Sequence, residues 1–197
     1  MALRASLGHQ RWLVPVLAFV LLIAILYGSG RAAFQTTGII GALLLVPAGA
    51  WLTLAAVNSE DPGQSAVTNV NGRGVLRVRL FVLLAAFIVC CGLTAISVGA
   101  SIVSDTEFGT RQDRLSVIGL LIVAHLIDAV LGVAIGALVA RPVIERTGFA
   151  LLAVMLFFVL SLVVPGSPVR ETLGLLLGNL HNGPWGAIGI LGLIAAV

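Results

Sequence analysis

Charge is nearly absent from six long stretches of this chain, and that absence limits what it can fold into. Arg11 and Arg31 enclose 19 residues without a formal charge, Arg31 and Glu60 enclose 28, and Arg79 and Asp105 enclose 25. Arg146 and Arg170 enclose 23, another 26 follow Glu171, and the run from Arg114 to Arg141 is broken only by Asp128. Crossing the hydrocarbon core of a bilayer takes roughly 20 apolar residues in a helix. Where water is absent, a helix is the structure that satisfies its own backbone. The expected fold is therefore all-α: a polytopic bundle of six transmembrane helices forming one domain over residues 1–197.

Composition points the same way. Hydrophobic residues make up 59% of the chain, charged residues 10%, and the mean hydropathy is +1.15. The net charge of +3 comes from arginines that stand singly near the ends of the apolar runs. In that position they anchor topology and make no basic patch for nucleic acid, so lipid is the expected surface partner. Lysine is missing altogether. That excludes a P-loop lysine, a Schiff-base lysine and a lysine general base, so any nucleotide energy must enter through another chain. No cofactor is expected. Cys90 and Cys91 are adjacent within an apolar run, which fits packing better than a disulfide framework or a metal site.

The six spans are placed at Trp12 to about Tyr27, Gly38 to Val57, Leu80 to Val103, Leu115 to Ala140, Gly148 to Val164, and from Pro184 onward. Pro47 should bend the second span without ending it. The first run resembles a secretory signal, but its length favours retention as a helix. Pro165 and Pro168 stop the fifth span, and Val169 to Leu180 reads as a short interfacial or re-entrant helix before the sixth. The fourteen residues from Pro184 to Val197 reach only about 21 Å as a helix, so either the sequence stops inside that span, the favoured reading, or Leu173 to Val197 forms a re-entrant pair. With the N-terminus inside, seven arginines fall on the cytoplasmic side and four opposite. This places both termini in the cytoplasm and the protein in the cytoplasmic (inner) membrane.

Three groups of residues are candidates for function. The polar segment from Asn58 to Gly74 can form a capped helix lying along the membrane, rigidly joined to two spans. His125 and Asp128 are the ionisable pair deep inside a span. Three residues apart, they share a helical face. A charged carboxylate there costs at least about 2.5–3.5 kcal/mol, so the pair reads either as a proton relay or polar lining, or as glue between helices. Gly132 and Gly136, four apart, permit close helix approach. Gly92, Ser97 and Gly99 read likewise as packing residues. No His-Glu-x-x-His pattern or carboxylate cluster marks a metal site. No catalytic residue is expected: Ser161 is a serine able to approach His125, but nothing beside it marks an activated nucleophile.

The run from Trp51 to Gln64, the stretch from Thr68 to Gly74, the glycine-rich end of span four leading through Arg141, and the Pro165–Pro168 exit resemble small actinobacterial ABC-2-type transporter permeases. The resemblance implies an exporter membrane subunit, paired as a homo- or heterodimer, with a separate ATP-binding subunit below. Its coupling helix would lie around Glu60 to Asn71. The residues meeting the ATPase would be Glu60, Asp61, Gln64, Ser65, Thr68, Asn69 and Arg73. Two other readings stay open: a non-transporting assembly or regulatory subunit, and a small proton-coupled carrier using His125 and Asp128.

Overall fold

The computed structural model describes residues 12–28, 34–59, 74–104, 111–141, 143–144 and 146–174, apart from the side chains of 34–36, 104 and 111–114. These residues form α1 (Leu13–Gly28), α2 (Phe34–Val57), α3 (Val75–Ser104), α4 (Arg111–Val139), α5 (Thr147–Val163) and a short α6 (Pro168–Gly174). The all-α expectation holds. Helices α3 and α4 begin before their uncharged runs, because Arg77 and Arg79 continue the first turns of α3 and Arg111 and Arg114 those of α4 rather than stopping them.

The count of six spans does not hold. Among the described residues, three segments are long and apolar enough to cross a membrane: Thr37–Val57, Val75–Val103 and Leu115–Val139. A fourth is reached if α5 and α6 make one broken span, since they meet at 46° across a short break. Helix α1 has 16 residues, which is about 24 Å and short of roughly 30 Å of hydrocarbon. The predicted sixth span lies outside the described residues, as do Glu60, Asp61, Gln64, Ser65, Thr68, Asn69 and Arg73.

Helix α2 is the centre of the bundle. Sixty-one per cent of its spanning window is buried, against 33% for α3. It packs most extensively on α4 and α3, and also touches α1 and α5. Leu45, Val46, Ala50 and Leu54 of α2 are all but inaccessible. They divide between two apolar clusters, one shared with Phe19 of α1 and Cys90 of α3, the other with Ile135 of α4 and Val154 of α5. Pro47 lies inside α2 and does not end it. The outer faces are apolar as well: Leu76, Leu84 and Ile88 of α3 and Leu152 and Leu156 of α5 are exposed. Contiguous apolar surface of this kind needs lipid or another apolar partner.

Gly132 and Gly136 bring α2 and α4 into backbone contact. A Cβ at Gly132 would lie 2.6 Å from the Val46 carbonyl oxygen, and one at Gly136 would lie 2.5 Å from that of Ala50. Gly92 and Gly99, expected to pack in the same manner, have open space around them, so α3 turns those glycines outward.

The break between α5 and α6 is tied by side chains. Ser167 caps α6, its Oγ accepting from Arg170 N at 3.3 Å with Pro168 in the first helical position, and the same hydroxyl donates to the Ser161 carbonyl. Arg170 Nη1 donates to the Val163 carbonyl at 2.7 Å, satisfying the end of α5. Gly166, at φ +81°, supplies the left-handed residue that the turn requires. Val169 is wholly buried and Thr172 nearly so, so α6 tucks one face into the bundle. The part of the predicted Val169–Leu180 helix that is described agrees with an inward-packed segment.

The glycine contacts carry a prediction. Gly→Ala in a helix interior ordinarily gains about 1 kcal/mol of propensity. At Gly132 the new methyl meets backbone that cannot swing away, so Gly132→Ala should destabilise by about 1–3 kcal/mol. Gly92→Ala, in open space, should be neutral or stabilising. Denaturant unfolding of both variants in one detergent measures the difference.

Candidate functional site

Elements α2, α3 and α4 meet in a fixed register. Gly41 of α2 lies against Ser97 of α3 and His125 of α4, and two turns along, Gly49 lies against Cys90 and Gly132. Helix α3 therefore runs antiparallel to the other two. One polar cluster is built on this register.

His125, fully buried, is at its centre. Its Nδ1 is 2.8 Å from the Leu121 carbonyl oxygen, one turn back on α4. A carbonyl only accepts, so Nδ1 carries the hydrogen. In the neutral ring Nε2 is then an acceptor, and the Ser97 hydroxyl donates to it at 3.0 Å. Ser97 is also fully buried. Its carbonyl accepts from Ser101 Oγ at 3.0 Å, and Tyr27 at the end of α1 hydrogen-bonds the Ser101 hydroxyl. The result is a row of polar groups running from the Tyr27 end of the bundle to its interior.

Gly41 makes the row possible. A Cβ there would overlap Ser97 Oγ and lie 3.4 Å from His125 Nε2. Only a residue without a side chain lets α2 close over the pair. A serine hydroxyl donating to an imidazole is a geometry used for nucleophilic attack. Here α2 covers both groups, so in this packing no substrate reaches them.

Asp128 does not join His125. They share the expected face of α4, but both ring nitrogens are engaged elsewhere, and Asp128 Oδ1 is buried with no hydrogen-bond partner. The residue is 2% exposed and sits at the middle of Leu115–Val139. Two further hydroxyls, Thr94 Oγ1 and Thr53 Oγ1, are buried without partners. Thr94 is one turn before Ser97 on antiparallel α3, and therefore at the level of Asp128. Thr53 packs beside Gly136 towards the other end.

Ser161, a serine that could in principle approach His125, does not meet it. Ser161 Oγ donates instead to the Phe158 carbonyl at 2.6 Å in its own helix. Ser97 is the serine that meets the imidazole, and its place among apparent packing residues concealed it. The only signal in the sequence is Ser97 and Ser101 one turn apart on the same face. The thiols of Cys90 and Cys91 are free, Cys90 buried in the apolar core and Cys91 half-buried. Among the described residues, no group of His, Cys, Asp and Glu is placed to hold a metal ion.

A second polar arrangement lies at the opposite end. Asn58 follows α2, Arg79 is in the first turns of α3, and Arg141 follows α4. The Arg141 backbone N–H donates to Asn58 Oδ1 at 3.3 Å, and its carbonyl accepts from Arg79 Nη2 at 3.1 Å. One peptide-chain position between α4 and α5 is thus clasped by both shoulders of the segment that joins α2 to α3. No family model matches the chain, and no curated protein or solved structure matches it.

Ser97→Ala strands the buried Nε2 of His125 and should cost about 1–3 kcal/mol. Thr53→Val removes a hydroxyl that has no partner and keeps the shape, so it should be neutral or stabilising. Unfolding midpoints of the two variants, measured in parallel, check the contrast.

Proposed function

We propose that this chain is a multi-pass membrane subunit driven by a separate partner acting on the segment between α2 and α3. The form that its layout resembles is the permease subunit of an ABC-type exporter. In this reading the segment and both termini are cytoplasmic. A second permease copy, identical or related, pairs with this one, and a separate ATP-binding subunit supplies the energy. The chain itself contributes no catalytic residue and no cofactor. The cargo is a small or amphipathic molecule moved across the cytoplasmic membrane as the interface between the two subunits alternates.

The observation that supports this reading is the clasp on Arg141. A partner that moves the α2–α3 segment pulls on Asn58 and Arg79 together, and both hold the connection between α4 and α5. Movement at one loop is thereby delivered to four helices. Helix α2, deepest in the bundle, carries it past the Ser97–His125 pair. A connector with no such ties would absorb the movement locally.

Two measurements test the proposal. Purification from native membranes in mild detergent should bring an ATP-binding subunit with the chain, and Glu60→Ala with Asp61→Ala should weaken that association. Failure to recover any nucleotide-binding subunit would remove the driven-permease reading. A stoichiometric complex that moves no solute would favour an assembly or regulatory subunit instead. Arg79→Ala should leave the complex intact, since an exposed contact contributes at most about 1 kcal/mol. It should nevertheless abolish coupling between ATP hydrolysis and transport.

A further inference from the structure

We propose that Asp128 is a proton-binding site in the middle of the bundle, taking up and releasing one proton on the Tyr27 side by way of His125. The inference does not depend on a partner ATPase.

Three observations carry it. The first is the orphaned carboxyl: Oδ1 is buried with no partner, at the midpoint of a segment long enough to cross the membrane. A carboxyl kept only as glue would be expected to hydrogen-bond across the helix contact, as the Ser97–His125 pair does. Asp128 has the burial without the bond. A second orphan, Thr94 Oγ1, lies at the same level on α3.

The second observation is the asymmetry of the buried polar groups. Thr37, Ser101, Ser97 and His125 lie between Asp128 and the Tyr27 end, and Thr94 is level with Asp128. Towards the Arg141 end the contacts are those of Gly132 and Gly136 with α2, together with Val133, Ile135 and Leu54. Among the described residues Thr53 is the one fully buried polar residue on that side, and the buried Nδ2 of Asn58 and Nε1 of Trp12 lie towards its end. Proton access in this packing is therefore from one side, and the backbone contact of α2 with α4 closes the other.

The third is the chemistry of the row. His125 stands one turn from Asp128, and its imidazole can accept a proton at one nitrogen and release one from the other. The Ser97 hydroxyl reaches one of those nitrogens. No other charged group competes at this depth among the described residues. The other ionisable groups on the packed elements are Tyr27 of α1, which belongs to the row, Cys90 and Cys91 of α3, and groups at helix ends: Arg77 and Arg79 in the first turns of α3, Arg111, Asp113 and Arg114 in the first turn of α4, and Arg170 and Glu171 in α6. Neither α2 nor α5 carries an ionisable side chain. Arg79 and Arg141 are at the far end. The step balances without another reactant: the carboxylate gains one proton from water on the Tyr27 side and returns it there, or to the other side once α2 and α4 separate.

The test uses the full chain purified into lipid nanodiscs. Infrared spectra recorded as pH is raised should show a protonated-carboxyl C=O band that disappears reversibly. Asp128→Asn should lack the band, and His125→Gln should slow its response to a pH jump. A band that never changes with pH would make Asp128 a permanently neutral structural group and overturn the proposal. So would absence of the band at every pH. An unchanged rate in His125→Gln would overturn the route. A measurement on the unmodified chain guards against variants that fail to fold: a hydrophobic carbodiimide, which reacts with protonated carboxyls, should label Asp128 at low pH and lose that labelling at high pH. No labelling at any pH refutes the site.

Discussion

The approach of α2 to α4 at backbone distance is the contact on which the rest of the bundle depends. In a lipid-like surrounding the hydrophobic effect does not draw helices together, so association rests on close packing and interhelical hydrogen bonds. Gly132 and Gly136 allow α4 to press on the carbonyls of Val46 and Ala50, and Gly41 allows α2 to close over Ser97 and His125. Once those three positions are in place, α3 is held in antiparallel register by a hydrogen bond, and the two apolar clusters form on either side of α2.

That same closeness explains the polar chemistry of the interior. A buried imidazole needs partners at both nitrogens, and the bundle supplies a carbonyl from α4 and a hydroxyl from α3. Neither partner is left for Asp128. The carboxyl's isolation follows from a histidine fully engaged one turn away, with glycine-lined backbone contact beyond it. Packing and polarity divide the bundle into a hydroxyl-bearing half and a sealed half. The clasp of Asn58 and Arg79 on Arg141 lies at the sealed end, so a movement there bears directly on the contact that separates the halves.

Much of this was legible in the residues, though unevenly. Uncharged runs announced α2 to α5, and Gly132 and Gly136 announced a close contact. His125 and Asp128 announced a polar site within a span. Ser97 was hidden, because a serine among glycines on an apolar helix looks like one more small packing residue. Gly92 and Gly99 misled for the same reason: spacing says that a helix offers a smooth face, not which way that face is turned. Helix α1 and the 46° break after α5 show that an uncharged run does not fix the length of a span, because the helix within it can stop early or bend.

The amino-acid sequence alone determined that the chain is built of apolar helices, where most of them lie, and which few ionisable groups they carry inside. Those properties are local: they depend on runs of charge-free residues and on the backbone's need to bond to itself. Only the tertiary structure decided that the partner of His125 is Ser97, that Asp128 has none at Oδ1, and that α2 is the central helix. Those facts depend on rotation and register between helices, which arise from contacts between residues 28 or more positions apart, as in Ser97 with His125.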